Sequence, residues 1–298
     1  MASQVPTHYV QQFANNVQLL LQQEGSVLLP AVMTGSHVGE QASPVDQYGS
    51  IVANKVVGRY NPMPNTEAPA YRRWVLPTDS DVNQLLDSFD KLRLLVDPMS
   101  AYVKNASNAI GRAWDEEILA GIFGTNQTGK SGGTATAFGA GQTVLVAHGA
   151  AAATNLTVAK LREAKRILRS RNVNFQKEQV FCAINAANHD GLLAEIQVIS
   201  SDFNGDKPVL VEDRIDRFLG INFIHTELLT TGTDDASGTS TQTPVFCKSG
   251  VYLGIWEDMK TDVSERKDLQ GIPMQAYVKA TYGATRLEEN KVVRIWTR

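Results

Sequence analysis

The sequence predicts a mixed α+β fold, on three observations. From Asp97 to Gly124 the apolar or small residues Met99, Tyr102, Val103, Ala106, Ala109, Ile110, Ala113, Trp114, Ile118 and Ile122 recur at steps of three and four, the period of one long amphipathic helix. From Met274 to Tyr282, Met274, Ala276, Val278, Ala280 and Tyr282 alternate with Gln275, Tyr277, Lys279 and Thr281, the two-residue period of a half-buried strand. Two runs rich in Val, Ile, Tyr and Trp, at Tyr48 to Tyr60 and Tyr71 to Leu76, flank a stretch whose Pro62, Pro64 and Pro69 forbid ladder pairing. Those runs read as a long antiparallel hairpin with a stiff tip, which needs another surface to lie on.

At the N-terminus, His8 to Gln23 places Phe13, Val17, Leu20 and Leu21 at helical spacing among Gln and Asn, a short helix with a narrow apolar stripe. Gly25 to Gln47 has no period and carries Gly, Pro, Ser and scattered valines, which reads as an extended segment that does not bury itself. It is either a disordered terminus or an arm ordered by a neighbouring surface, and its apolar residues favour the arm. Its charges, Glu24, Glu40 and Asp46, are all acidic, which excludes a basic DNA-binding arm. Asp79 to Val96 holds Val82, Leu85, Leu86, Phe89, Leu92 and Leu95 in a helical stripe that leads into the long helix. That helix, from Pro98 to Phe123, would be about 40 Å long. Asp97 is its expected N-cap, Pro98 its first residue and Gly124 its stop.

Gly124 to Ser131, GTNQTGKS, satisfies the phosphate-cradling pattern G-x-x-x-x-G-K-[ST], and Gly129 to Gly133, GKSGG, satisfies the nucleophile-elbow pattern G-x-S-x-G. Both mechanisms need a strand before the loop and a helix after it. Here an amphipathic helix precedes it, and the Gly/Thr-rich run that follows cannot start one. Two incompatible motifs in one Gly/Ser/Thr-rich stretch share a compositional origin.

Thr128 to Asn155 is dominated by Gly, Ala and Thr and reads as a long surface excursion with one strand-like patch at Thr143 to Ala147. Thr157 to Arg171 is helical, with Val158, Leu161, Ile167 and Leu168 inward and Lys160, Arg162, Lys165, Arg166, Arg169 and Arg171 outward, offset only by Glu163. That face is either a contact for phosphate or an acidic partner, or a solvated face, and one basic helix on an acidic chain favours the latter. Gln179 to Ile184 is a short buried strand and Asn185 to Ile199 a helix. His189 beside Asp190 lacks a triad or ligand partner and reads as structural. Pro208 to Leu229 alternates short apolar runs around Gly220 in paired strands, and TTGTDDASGTSTQT, at 230–243, reads as a solvated loop. Val245 to Cys247 and Val251 to Trp256 resume strands. Leu287 to Lys291 turns, and Val292 to Trp296 returns.

A net charge of -3 argues against a dedicated nucleic-acid binder. Cys182 and Cys247 lie far apart without metal-ligand spacing and read as buried thiols. No Lys or Arg precedes Lys55, so a secretory signal with its positive n-region is not expected, and no apolar run reaches membrane-span length. No catalytic, cofactor-binding or metal-binding residue is assigned, and no cofactor is expected.

The helix AIGRAWDEEILAGIFG (Ala109 to Gly124), the segment LGINFIHTELL (Leu219 to Leu229) and the ending YVKATYGATRLEENKVVRI (Tyr277 to Ile295) occur in the order arm, hairpin, spine helix, central insert, long C-terminal strands. That order resembles the major capsid protein of tailed bacteriophages, the Hong Kong 97 fold. The resemblance implies an N-terminal arm at 1–47, an extended E-loop at 48–78 and a peripheral domain at 79–131 with the spine helix at 98–123. It also implies an axial domain at 132–243 and the peripheral domain's C-terminal strands at 244–298. The implied function is a non-enzymatic shell protein that self-assembles through hexamers and pentamers into the icosahedral head of a tailed phage. Implied partners are copies of itself, a separate scaffolding protein, a portal and packaged double-stranded DNA touched non-specifically. No membrane partner is implied, and the expected location is the virion capsid, assembled in the host cytoplasm.

Candidate assembly contacts are Phe13, Val17, Leu20, Leu21, Lys55, Tyr60, Arg72, Arg73 and Trp74. Some members of the family cross-link the E-loop through a Lys–Asn isopeptide bond. Here the hairpin's sole lysine is Lys55, in the first limb, so pairing, burial and charge are expected to hold the lattice instead. The alternatives are an encapsulin-type compartment shell and a P-loop nucleotide hydrolase.

Overall fold

The computed structural model describes residues 22–39, 43–56, 58–59, 62–86, 99–195, 198, 210–211 and 214–298. The stripe Phe13, Val17, Leu20 and Leu21, and Tyr60, lie outside them, as do 87–96 of the predicted second helix and the spine helix's expected cap Asp97 and first residue Pro98. The chain divides into two compact units, and their described parts are 22–26, 79–86, 99–112 and 257–280 in the first, and 27–39, 43–78, 113–256 and 281–298 in the second, with the gaps already given.

In chain order the strands are β1 (Met33–Ser36), β2 (Ser43–Tyr48), β3 (Ala70–Val75) and β4 (Thr78–Leu86), followed by the spine helix α1 (Met99–Phe123). Then come β5 (Asn126–Thr128), β6 (Thr134–Thr136), β7 (Thr143–Val144), α2 (Val158–Ser170), β8 (Val180–Ile184) and α3 (Ala186–Leu193). The last part holds β9 (Leu210–Val211), β10 (Arg214–Ile215), β11 (Arg217–Phe218), β12 (Ile221–His225), β13 (Thr231–Thr233) and β14 (Thr239–Cys247). It ends with β15 (Val251–Glu265), β16 (Met274–Arg286) and β17 (Val292–Thr297). The mixed α+β class, the spine helix and the alternating strand β16 are as the sequence predicts.

In the first unit, residues 22–26 lie against α1. Arg112 donates to the Gln22 side chain at 2.9 Å and to the Gln23 carbonyl at 3.2 Å, and Lys104 pairs with Glu24 at 3.2 Å. A β-carbon at Gly111 would meet the Gly25 backbone at 2.5 Å, so the approach requires a glycine inside the helix. Strand β4 replaces the helix predicted from Asp79. Val82 and Leu86 are four apart, a spacing that suits both a helical face and an even strand step. Leu85, which a helical stripe would bury, is exposed instead, while Ser80, Val82, Gln84 and Leu86 turn inward. The run TDSDVN also favours local side-chain bonds over helix.

The second unit holds the main core. Its largest sheet has the order β11-β12-β8-β14-β17-β7, with β13 beside β14. On this sheet pack Val158, Leu161, Ala164, Ile167 and Leu168 of α2, against Cys182, Ile184, Val245, Val293 and Ile295. Thr157 caps α2, its side chain accepting from the Lys160 N–H. Lys160, expected on the outer face, is fully buried and donates to the carbonyls of Thr154 (2.6 Å), Trp296 (2.9 Å) and Asn155 (3.1 Å). Burial lowers its pKa to about 8, so at neutral pH it is an ammonium with three protons to give.

Three further expectations are corrected in this unit. The Gly25 to Gln47 stretch buries Leu28, Ala31 and Val32 in its own chain, and β1 pairs in parallel with β15 from Met33↔Tyr252 to Ser36↔Ile255. The anchor is Asp115 on α1, a fully buried carboxylate that accepts the Val27 N–H at 3.0 Å and the Leu28 N–H at 3.1 Å. The 128–155 excursion has β7 within its expected strand-like patch, but it also contributes β6 and buries Val144 and Val146, so it is not wholly on the surface. The supposed solvated loop at 230–243 is the hairpin of β13 and β14, since threonine is β-branched and Asp234 closes the turn by accepting the Ala236 and Gly238 N–H groups.

Candidate assembly interface

The hairpin predicted around the three prolines has its ladder lower in the sequence than expected. Strand β2 pairs with β3 from Ser43↔Val75 to Tyr48↔Ala70, and the Gly49 N–H reaches the Pro69 carbonyl at 2.7 Å. The predicted first strand, Tyr48 to Tyr60, has no ladder among its described residues beyond Tyr48. Pro44 is tolerated because β2 is the edge of a sheet ordered β2-β3-β5-β6. Asp46 stands directly opposite Arg72 and takes both its Nε (2.6 Å) and Nη2 (3.0 Å). This hydrogen-bonded pairing lowers the Asp46 pKa and raises that of Arg72.

Beyond the ladder, the described residues of 50–69 run in two limbs joined by a bond from Asn54 to the Thr66 hydroxyl at 2.8 Å. On these limbs Ile51, Val52, Val56 and Met63 are 61%, 80%, 92% and 95% exposed. Lys55 is exposed among them. Tyr48 and Tyr71, at the root, are exposed as well. Sequence reasoning places the Ile-Val pair in a strand and misses its exposure; the signal is the proline run, which removes the partner strand.

The root is held rigidly. Trp74 donates its indole N–H to the Gly129 carbonyl at 2.8 Å, and a β-carbon at Gly132 would press on its ring at 3.2 Å. The GTNQTGKSGG run is therefore the tight hairpin from β5 to β6, with positive φ at Gly129 and Gly132: a helix, α1, precedes Gly124 where the phosphate pattern needs a strand, and a strand, β6, follows where both patterns need a helix. Arg73 pairs with Glu289 at 2.5 Å, and Glu289 also faces the fully buried Arg286 at 3.6 Å. Arg286 donates to the Ile122 and Gly124 carbonyls and so closes the C-terminal end of α1. Burial lowers its pKa. Phe138 stacks against both Arg286 and Arg294, at 5.1 and 5.0 Å. Arg72, Arg73 and Trp74 thus make contacts inside one chain. Among the described residues no cluster of His, Cys, Asp and Glu has metal-site geometry, and no helix is long and apolar enough to cross a membrane.

The sequence matches the family described as phage capsid protein over residues 5–297. The chain belongs to the phage capsid protein family. No curated protein matches this capsid protein. Among solved structures it is similar to the capsid of cyanophage P-SCSP1u, with TM-score 0.74 and 15% identity, covering 98% of this chain and 93% of that one. It is also similar to the capsid of Ralstonia phage GP4, at TM-score 0.75 and 9% identity over 99% and 98% of the two chains. The head structure of Helicobacter pylori bacteriophage KHP40 aligns at TM-score 0.73 and 9% identity over 96% and 95%. The fold of this capsid protein is the Hong Kong 97 fold, and the family match does not favour a cargo-enclosing compartment shell.

Proposed function

We propose that this major capsid protein closes, through hexamers and pentamers of itself, into the icosahedral head of a tailed phage, around double-stranded DNA and in the host cytoplasm. The observation that carries the reading is the 50–69 excursion: a limb pair with no ladder among its described residues and four large apolar side chains in water belongs against a second copy of the chain. In this reading 1–47 is the arm, 48–78 the E-loop with its root strand starting at Ser43, 132–243 the axial domain, and 79–131 with 244–298 the peripheral domain. Lys55 and the neighbouring exposed apolar residues meet the neighbour, as do Phe13, Val17, Leu20, Leu21 and Tyr60. Arg72, Arg73 and Trp74 support them by fixing the root. A separate scaffolding protein and a portal complete the assembly, and the role is structural.

The test is electron microscopy of the expressed full chain, with and without a scaffolding protein, beside the variant Val52→Asp/Val56→Asp. Both positions are open to water in the subunit, so the variant folds normally. Its carboxylates would be buried at a contact, so closed particles disappear. Normal particles from the variant would remove the E-loop from the contact.

A further inference from the structure

We propose that the outward face of α2 is the surface through which this subunit contacts the phosphate backbone of nucleic acid; the proposal rests on the reading that the shell encloses DNA. The helix is held on the seven-stranded sheet by its apolar face, so its polar face is a fixed array. Arg162, Arg166 and Arg169 are exposed at steps of four and three, one stripe about 10 Å long. Successive phosphates of one strand advance about 3.4 Å along a duplex, so the stripe spans about three of them.

The charges on this face are not equivalent. Arg166 is matched by Glu163, the helix's one acid, at 2.8 Å. Lys165 is drawn under the stripe, donating to the Leu219 carbonyl at 2.5 Å with Phe175 5.3 Å away. Arg169 rests on the other contact of Phe175 at 5.6 Å, which orients its guanidinium without neutralising it. Arg162, Arg169 and Arg171 have no carboxylate partner among the described residues. Two uncompensated arginines, Arg162 and Arg169, therefore share the stripe, and Arg171 follows at the C-cap of the helix, on a chain whose net charge is -3.

The face suits a polyanion better than an acidic protein. The large apolar residues that are exposed among the described residues all lie elsewhere, so the patch lacks the apolar centre that a protein contact usually buries. Guanidinium groups on a rigid rod match phosphate oxygens, whose contacts need no base recognition.

The experiment uses unassembled full-length subunits and a fluorescent mixed-sequence duplex of about 30 base pairs, titrated between roughly 50 and 200 mM salt. Arg162→Gln/Arg169→Gln/Arg171→Gln is compared with wild type and with Lys260→Gln/Lys267→Gln, which removes exposed cations elsewhere. The expected result is a salt slope lower by about 2–3 and affinity at least tenfold weaker for the arginine variant, with the lysine variant close to wild type. An unchanged slope for the arginine variant overturns the proposal, and so does stronger binding of a labelled polyglutamate than of the duplex. Particle counts by microscopy keep the two readings apart. Variant shells that close normally with unchanged DNA binding refute the patch alone, whereas wild-type subunits that never close refute the shell reading.

Discussion

The carbonyl of Leu76, one residue past β3, rests on Gly283 of β16 so closely that a β-carbon there would stand 2.0 Å from the oxygen. Around this contact, Tyr282 meets Trp114 edge-on at 6.0 Å, Ala284 lies against Gly121 of α1, and Arg286 closes that helix. The spacing Tyr-Gly-Ala-x-Arg is thus a set of four contacts within five residues of one strand.

Gly283→Ala should destabilise the subunit by about 3 kcal/mol, the upper end of overpacking costs, because the obstacle is backbone and cannot swing away. Urea unfolding of the full chain measures it, and a loss below about 1 kcal/mol would show that β3 and β16 can separate freely.

Asp115→Ala leaves two N–H groups, those of Val27 and Leu28, without their buried acceptor. The expected cost is about 2–4 kcal/mol from two unsatisfied donors. Hydrogen exchange should accelerate first at residues 26–32, and uniform acceleration across α1 instead would contradict the anchoring role.

Glu289→Gln removes the carboxylate that Arg73 and the fully buried Arg286 share. Glu289 is partly open to water, which reduces the penalty for a stranded buried charge to about 2 kcal/mol. The loss should appear at low and high salt alike in denaturation curves, since the pair is shielded. A loss that vanishes in salt would place the interaction on the surface.

Asp234 accepts from the Ser240 hydroxyl, the Gly238 and Ala236 N–H groups and Arg298, at 3.0 Å for the last. These bonds, led by that of Ser240, hold its pKa below the usual carboxylate range. A depressed folded-state pKa means stability that is present above the unfolded value and lost as pH falls through the folded one. Wild type should therefore outlast Asp234→Asn in thermal melts near neutrality, and the two curves should converge as pH falls below about 4. A constant gap down to the lowest pH would remove this carboxylate from the acid response.

The long periodic elements were readable in the chain. The spine helix shows its period along a helix of 25 residues, and β16 shows its alternation from Met274 to Tyr282, so one face of each is specified several times over. The motif at Gly124 to Ser131 was correctly set aside because its flanks did not supply the required strand and helix. Short segments were harder. Val82 and Leu86 fit either period, and the Thr-rich 230–243 run carries no large apolar residue to mark a face. Of the contact candidates, Lys55 is exposed as expected, while Arg73 and Trp74 turned out to hold the root of the hairpin within their own chain.

Local pattern, repeated along enough residues, carries a fold class, a spine and the resemblance to a capsid subunit. Partnerships between residues far apart in the chain carry no such pattern: Asp115 with Val27, Arg73 with Glu289 and Gly283 with Leu76 meet only because folding closes long loops between them. Each is a single buried contact whose energy depends on its surroundings, so its place is settled when the strands and helix are packed and water is excluded.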